Sequence, residues 1–213
     1  RFIASPAPAE GGEIAKGPLK EKIGALDSIA AVFAAGLVTR IDSVDKVTQD
    51  AVAQALSELL TRAGTRAPPA GIEEKYYIKA VEMLRNLDKE PASISYFTAK
   101  VEPNTGHLLG FGKKDGIAIA PDVVTYLLTR TDITTEVNVL VQEYILHEVL
   151  EAVTPAETHD ELYQVTQNDF FKGISGYGVD KNPLGAALAG FNDEKRLAAN
   201  LQGMGIDAGL SSK

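Results

Sequence analysis

The sequence predicts an α+β protein, and three observations carry that expectation. Three segments with the helical spacing of apolar residues come first, between Pro18 and Leu87; a stretch rich in β-formers follows, from Ser93 to Ala120; a long apolar segment, Thr134–Val153, comes next. The expected order is a helical section over residues 18–92, then a second section over 93–203 holding a small antiparallel sheet, a buried helix and C-terminal helices. Residues 1–17 read as a linker-like segment and residues 204–213 as a polar tail.

Each element has its own warrant. Pro18–Val38 sets Ile23, Leu26, Ile29, Val32 and Phe33 at helical spacing, and Val44–Ala63 repeats the pattern with Val47, Val52, Leu56, Leu59 and Leu60. Thr65–Gly71, with two prolines, interrupts the chain before a third helix over Ile72–Leu87, whose buried side carries Tyr76, Tyr77, Ala80, Val81 and Leu84. Ser93–Val101 alternates as a strand does, and Glu102–Gly106 is its turn. His107–Phe111 and Gly116–Ala120 are two short strands joined through Gly112–Asp115; the second ends at Pro121, which suits an edge strand because proline offers no N–H to a ladder. Pro121–Leu128 is a short helix with proline at its first position.

In Thr134–Val153 the apolar residues Val137, Leu140, Val141, Tyr144, Ile145, Leu146, Val149, Leu150 and Val153 lie almost all round the helix, so it should be buried. Thr154-Pro155-Ala156-Glu157 matches a capping box and starts a new helix running to about Phe171. Lys172–Gly185 is Gly-rich, and helical pieces follow over Pro183–Gly190 and Asp193–Leu201.

Composition excludes several function classes. The 213 residues include 21 Lys and Arg against 29 Asp and Glu, a formal charge of −8, and 45% are hydrophobic, enough for one packed core. The acidic excess argues against a nucleic-acid partner, whose phosphates need Lys and Arg. Cysteine is absent, which removes disulfide frameworks, thiolate zinc sites and Cys nucleophiles. A metal site must then use carboxylates and the three histidines, His107, His147 and His159. No apolar run reaches the roughly 18 residues of a membrane span. The sequence opens at Arg1 with a Pro- and Gly-containing stretch over residues 4–12, which reads as part of a larger or processed polypeptide; localisation is not legible there.

Chemistry concentrates at His147, Glu148 and Glu151. Ionised carboxylates in an apolar helix are costly unless paired or bound to a metal. Residues 147 and 151 are four apart and share a face, so both side chains can converge on one point, while Glu148 projects about 100° further round. That is the geometry of the His-Glu-x-x-His zinc helix, in which the outer positions bind metal and the glutamate is the general base. The competing reading is a solvated stripe formed by Glu143, His147 and Glu151.

Ile145–Ala152 (ILHEVLEA) resembles the active-site helix of zincin metallopeptidases, with Glu151 where the second zinc histidine would stand. The order of a small sheet followed by this helix is similar to theirs, over roughly residues 93 to 171. The resemblance implies a Zn2+ cofactor held by His147, Glu151 and a third ligand from the following helix, His159, with Asp160 and Glu161 as substitutes. It implies Glu148 as general base, a peptide or protein substrate, and strand addition of that substrate to the edge strand Ile117–Ala120. A carboxylate in place of an imidazole makes the metal a weaker Lewis acid. The alternative is therefore a catalytically inactive zincin-like structural or interaction module of a larger protein, and a further one is a metal-free helical adaptor. His159 also fits the charged first turn of a surface helix, His107 reads as structural or exposed, Gly173–Gly178 as a loop rather than a phosphate cradle, and Tyr177 as a loop tyrosine.

Overall fold

The computed structural model describes residues 18–64, 74–102, 106–130, 138–154 and 183–204. Along the chain these form α1 (Pro18–Gly24), α2 (Ile29–Ala34), β1 (Arg40–Ile41), α3 (Lys46–Gly64), α4 (Glu74–Lys89), a 3-10 turn (Pro91–Ser93), β2 (Ile94–Phe97), β3 (Lys100–Glu102), β4 (Gly106–Leu108), β5 (Gly110–Lys113), β6 (Gly116–Ile119), α5 (Pro121–Thr129), α6 (Val139–Val153) and α7 (Pro183–Gly203). The architecture is mixed α+β and mainly helical. No described helix is long and apolar enough to cross a membrane.

The segment expected as one helix over Pro18–Val38 is two. Ser28 starts α2 by accepting the Ala31 N–H at 3.1 Å, and the Asp115 carboxylate accepts the Ile29 N–H at 3.0 and 3.2 Å. Two caps at one point satisfy donors that a continuing helix would have bonded internally. Gly36, at φ 67°, ends α2 in the left-handed conformation open to glycine. Asp45 opens α3 in the same way as Ser28, accepting the Thr48 N–H and hydroxyl, each at 2.9 Å. Tyr77 is buried in α4 and Tyr76 sits at its rim, as the spacing implies.

The sheet departs from the expected antiparallel arrangement. Its order is β1-β2-β6-β5, with β2 parallel to β6 (Ile94 opposite Ile117) and β5 antiparallel to β6 (Phe111 opposite Ala118). Between β2 and the hairpin the chain makes a separate two-stranded ribbon, β3 with β4, and the second strand of the hairpin lands on β2. Ile117–Ala120 is therefore not an edge. All four residues of β6 are buried, which suits a strand with a neighbour on both sides, whereas β5 carries Gly110, Gly112 and Lys113 at the border. Pro121 stands beyond β6, at the first position of α5, where its missing N–H costs nothing.

One hydrophobic cluster runs from Ile23 to Phe191 and draws on both halves of the sequence. Its axis is α6, in which every residue from Val139 to Leu150 is buried against β5, β6, α3 and α4. The two helical pieces expected after Pro183 are one helix, α7. It passes through Gly190 without a break because glycine is needed there for approach: a Cβ would sit 2.6 Å from the Tyr126 hydroxyl of α5. Phe191 then packs edge-on against Tyr126 at 5.3 Å. The capping box at Thr154–Glu157, the helix to Phe171 and the Gly-rich stretch lie outside the described residues beyond Thr154.

Candidate functional site

Residues 142–148 of α6 combine burial with polarity. Gln142, Glu143, His147 and Glu148 are only 1%, 2%, 4% and 4% exposed, so a solvated stripe is overturned at Glu143 and His147; Glu151 alone of that row is exposed. A helix can bury such groups only if other elements supply partners. The Glu143 carboxyl accepts the backbone N–H of Leu184 in the first turn of α7, and burial pushes its pKa up to about 8. Gln142 donates to Glu58 of α3, whose other oxygen accepts from Gln54 at 2.8 Å.

Glu148 is placed by two glycines. Positions two apart on a strand face the same side, and Gly110 and Gly112 of β5 both face α6. A Cβ at Gly112 would lie 1.9 Å from the Glu148 carbonyl oxygen and 3.0 Å from the Ala152 Cβ, so helix and strand backbones meet directly. A Cβ at Gly110 would lie 2.3 Å from Glu148 Oε1 and 2.5 Å from its Cδ. The carboxyl thus lies along the backbone of the edge strand. One turn earlier, the Tyr144 hydroxyl donates to the Leu109 carbonyl and accepts the Ala120 N–H at 3.0 Å, which ties α6 to the ends of both hairpin strands.

Charge around Glu148 is arranged against ionisation. Burial raises its pKa well above the ordinary carboxylate value, the Glu151 charge and a hydrogen bond between the two carboxyls raise it further, and Lys20 of α1 opposes them. Glu148 Oε2 is buried with no hydrogen-bond partner among the described residues. Lys113, at the far end of β5, donates to the Ile23 carbonyl at 2.7 Å; burial lowers its pKa, and the nearby Glu151, Asp27 and Asp115 charges work the other way.

Of the residues expected at a metal centre, α6 carries His147, Glu148 and Glu151 and sets the Glu148 carboxyl beside that of Glu151, while His159, Asp160, Glu161 and Tyr177 lie outside the described residues. Among the described residues no group of three or more His, Cys, Asp or Glu side chains is gathered to hold a metal ion. In kind, the donors fit zinc: an imidazole and a carboxylate one helical turn apart, next to a second carboxyl with an unsatisfied oxygen. Among the described residues, Glu148 therefore lies buried beside Glu151 and against β5, the last strand in the order of its sheet.

Sequence reasoning missed Gly110, Tyr144 and Lys20. Gly110-Phe111-Gly112 carried a readable sign, since glycines two apart in a strand mark a close backbone approach on one face. Nothing in the sequence pointed Lys20, more than 120 residues upstream, at Glu148. No protein-family model, no curated protein and no solved structure matches this chain.

Proposed function

We propose that the α6 site is a zinc-dependent peptidase centre of the zincin type, with His147, Glu151 and His159 as metal ligands and Glu148 as general base. The single observation that carries this reading is the buried Glu148 carboxyl laid against the edge strand at Gly110. An extended peptide added to the outer edge of β5, rather than of β6, would bring its carbonyls next to that carboxyl. Zinc, when bound, supplies the Lewis acidity that brings the pKa of a coordinated water toward about 7. Glu148 accepts the proton of the attacking water and returns it to the departing amine. Tyr144 and the two glycines hold the carboxyl in place, and the apolar surroundings from Ile145 to Leu150 exclude bulk water.

The test is elemental analysis of protein purified without a metal-chelating column, followed by exposure to a mixed peptide library. About one zinc per chain and cleavage that a Glu148→Gln change abolishes, with zinc retained, is the expected outcome. Fully folded protein that takes up no zinc would overturn the reading. Zinc without cleavage by the unchanged protein would leave an inactive interaction module, a reading favoured by the carboxylate at position 151.

A further inference from the structure

We infer that the cavity between the end of α4 and the β5–β6 turn binds a small organic anion, a carboxylate or phosphate monoester on an apolar body, with Lys89 and Lys114 as the groups that hold its charge. None of the cavity's lining comes from α6, so the site stands apart from the peptidase reading.

The cavity is built before any ligand arrives. It measures about 380 Å³, room for a small organic molecule, with Met83 and Leu87 of α4 supplying apolar surface and Asn86 and Ser93 supplying neutral hydrogen-bonding groups. Its two walls are fixed to each other at Gly116, where a Cβ would lie 2.4 Å from the Ser93 carbonyl oxygen, so the hairpin and the 3-10 turn meet through backbone. Along the α4 wall the Glu90 N–H donates to the Asn86 carbonyl and the Ser93 N–H to the Glu90 carbonyl, each at 2.8 Å. These two carbonyls at the end of α4 are thereby occupied, which makes the negative end of the helix a smaller obstacle to an anion. A site held in shape beforehand costs a ligand little ordering.

Charge selects the ligand. Lys89 comes from α4 and Lys114 from the hairpin turn, and both line this one cavity. Both are exposed, and among the described residues neither makes a hydrogen bond or an ion pair. A lysine in the last turn of a helix answers the helix dipole, which accounts for Lys89 but not for a second ammonium brought in from a strand turn. Of the two carboxylates in the lining, Asp115 already accepts the Ile29 N–H at 3.0 and 3.2 Å, which leaves Glu90 as the opposing charge. In a chain of net charge −8, two ammoniums beside an apolar surface favour an oxyanion carried on a hydrophobic body over a free inorganic ion, because burial of the body adds to the charge contact.

The experiment follows the backbone amides of the full chain by NMR while phenyl phosphate, benzoate, benzyl alcohol or inorganic phosphate is titrated in. At least one aromatic anion should shift Ser93 and Gly116 saturably, with a Kd below about 1 mM, and bind at least about tenfold more tightly than benzyl alcohol or inorganic phosphate; the order of the two anions tells phosphate from carboxylate. Lys89→Met and Lys114→Met should each weaken binding about fivefold, as expected for one partly exposed ion pair, Glu90→Gln should tighten it about twofold, and Lys79→Met, elsewhere on α4, should leave it unchanged. Benzyl alcohol or inorganic phosphate binding as tightly as the aromatic anions, shifts that spare both Ser93 and Gly116, or indifference to both the Lys89 and the Lys114 variant overturns the site. Cleavage of peptides, or its absence, bears on the α6 centre alone.

Discussion

Gly110 and Glu148 occupy each other's space: the place where a side chain would begin on the strand, 2.3 Å from Oε1, is filled by the end of the glutamate from the helix. Two residues further on, a Cβ on Gly112 would first meet the Glu148 carbonyl oxygen of the helix backbone, at 1.9 Å. The two glycines therefore answer differently to the same substitution. A flexible carboxyl can swing away from a new methyl, whereas a helix backbone must move bodily.

Gly110→Ala should then cost about 1 kcal/mol of stability and most of any peptidase activity, and Gly112→Ala about 3 kcal/mol, the range of core overpacking. Adding Glu148→Ala should restore the stability of Gly110→Ala and leave Gly112→Ala as unstable as before. Denaturant melts of the two double variants read this directly. If both or neither recovered, the assignment of one contact to the side chain and the other to the backbone would be wrong.

Glu143 predicts an unusual dependence on pH. Its folded pKa of about 8 lies above the ordinary 4.5, so the folded chain keeps a proton that the unfolded chain releases. Stability from this group is highest below about pH 4.5, falls as pH rises toward about 8 by at most about 1.4 kcal/mol per unit, and levels off above. Glu143→Gln, which still accepts the Leu184 N–H, should reduce that slope and be more stable than the parent at pH 8. Glu148, shifted in the same direction, supplies part of the remaining slope. A parent and variant with parallel stability curves from pH 5 to 8 would show that Glu143 is ionised throughout.

Tyr144→Phe removes one hydroxyl and strands two backbone groups, the Leu109 carbonyl and the Ala120 N–H. The expected loss is about 1–3 kcal/mol, the cost of leaving buried partners unsatisfied. Amide exchange should accelerate at Ala120 in particular. Exchange at Ala120 as slow as in the parent would mean that the tie to α6 does not hold the hairpin.

Zinc should raise the thermal midpoint of the chain, because a ligand bound by the folded state alone stabilises it by mass action. His147→Ala and a chelator should each remove the increment. A midpoint indifferent to zinc in the parent would count against His147 as a ligand.

Several elements were legible because local chemistry decides them. Periodicity marked α3, α4, α5 and the buried α6, and the composition of Ser93–Ala120 marked the strands. Of the expected site residues, His147, Glu148 and Glu151 lie within one stretch of helix, where a 3.6-residue repeat alone sets which positions share a face. The break between α1 and α2 was hidden because half of its cap comes from Asp115, 86 residues from Ile29. The parallel pairing of β2 with β6 was hidden too, since alternation within a strand tells which face is buried but not which strand lies beside it.

By itself, then, the sequence determined the α+β class, the burial of α6 and the neighbourhood of Glu148 and Glu151, all consequences of short-range geometry and of the cost of exposing apolar surface. Only the tertiary structure decided that, among the described residues, β5 rather than β6 is the edge, that Gly110 makes room for the Glu148 carboxyl, and that the Tyr144 hydroxyl ties α6 to Leu109 and Ala120. Those are relations between residues far apart in the chain, and they exist only once close packing has chosen which surfaces meet.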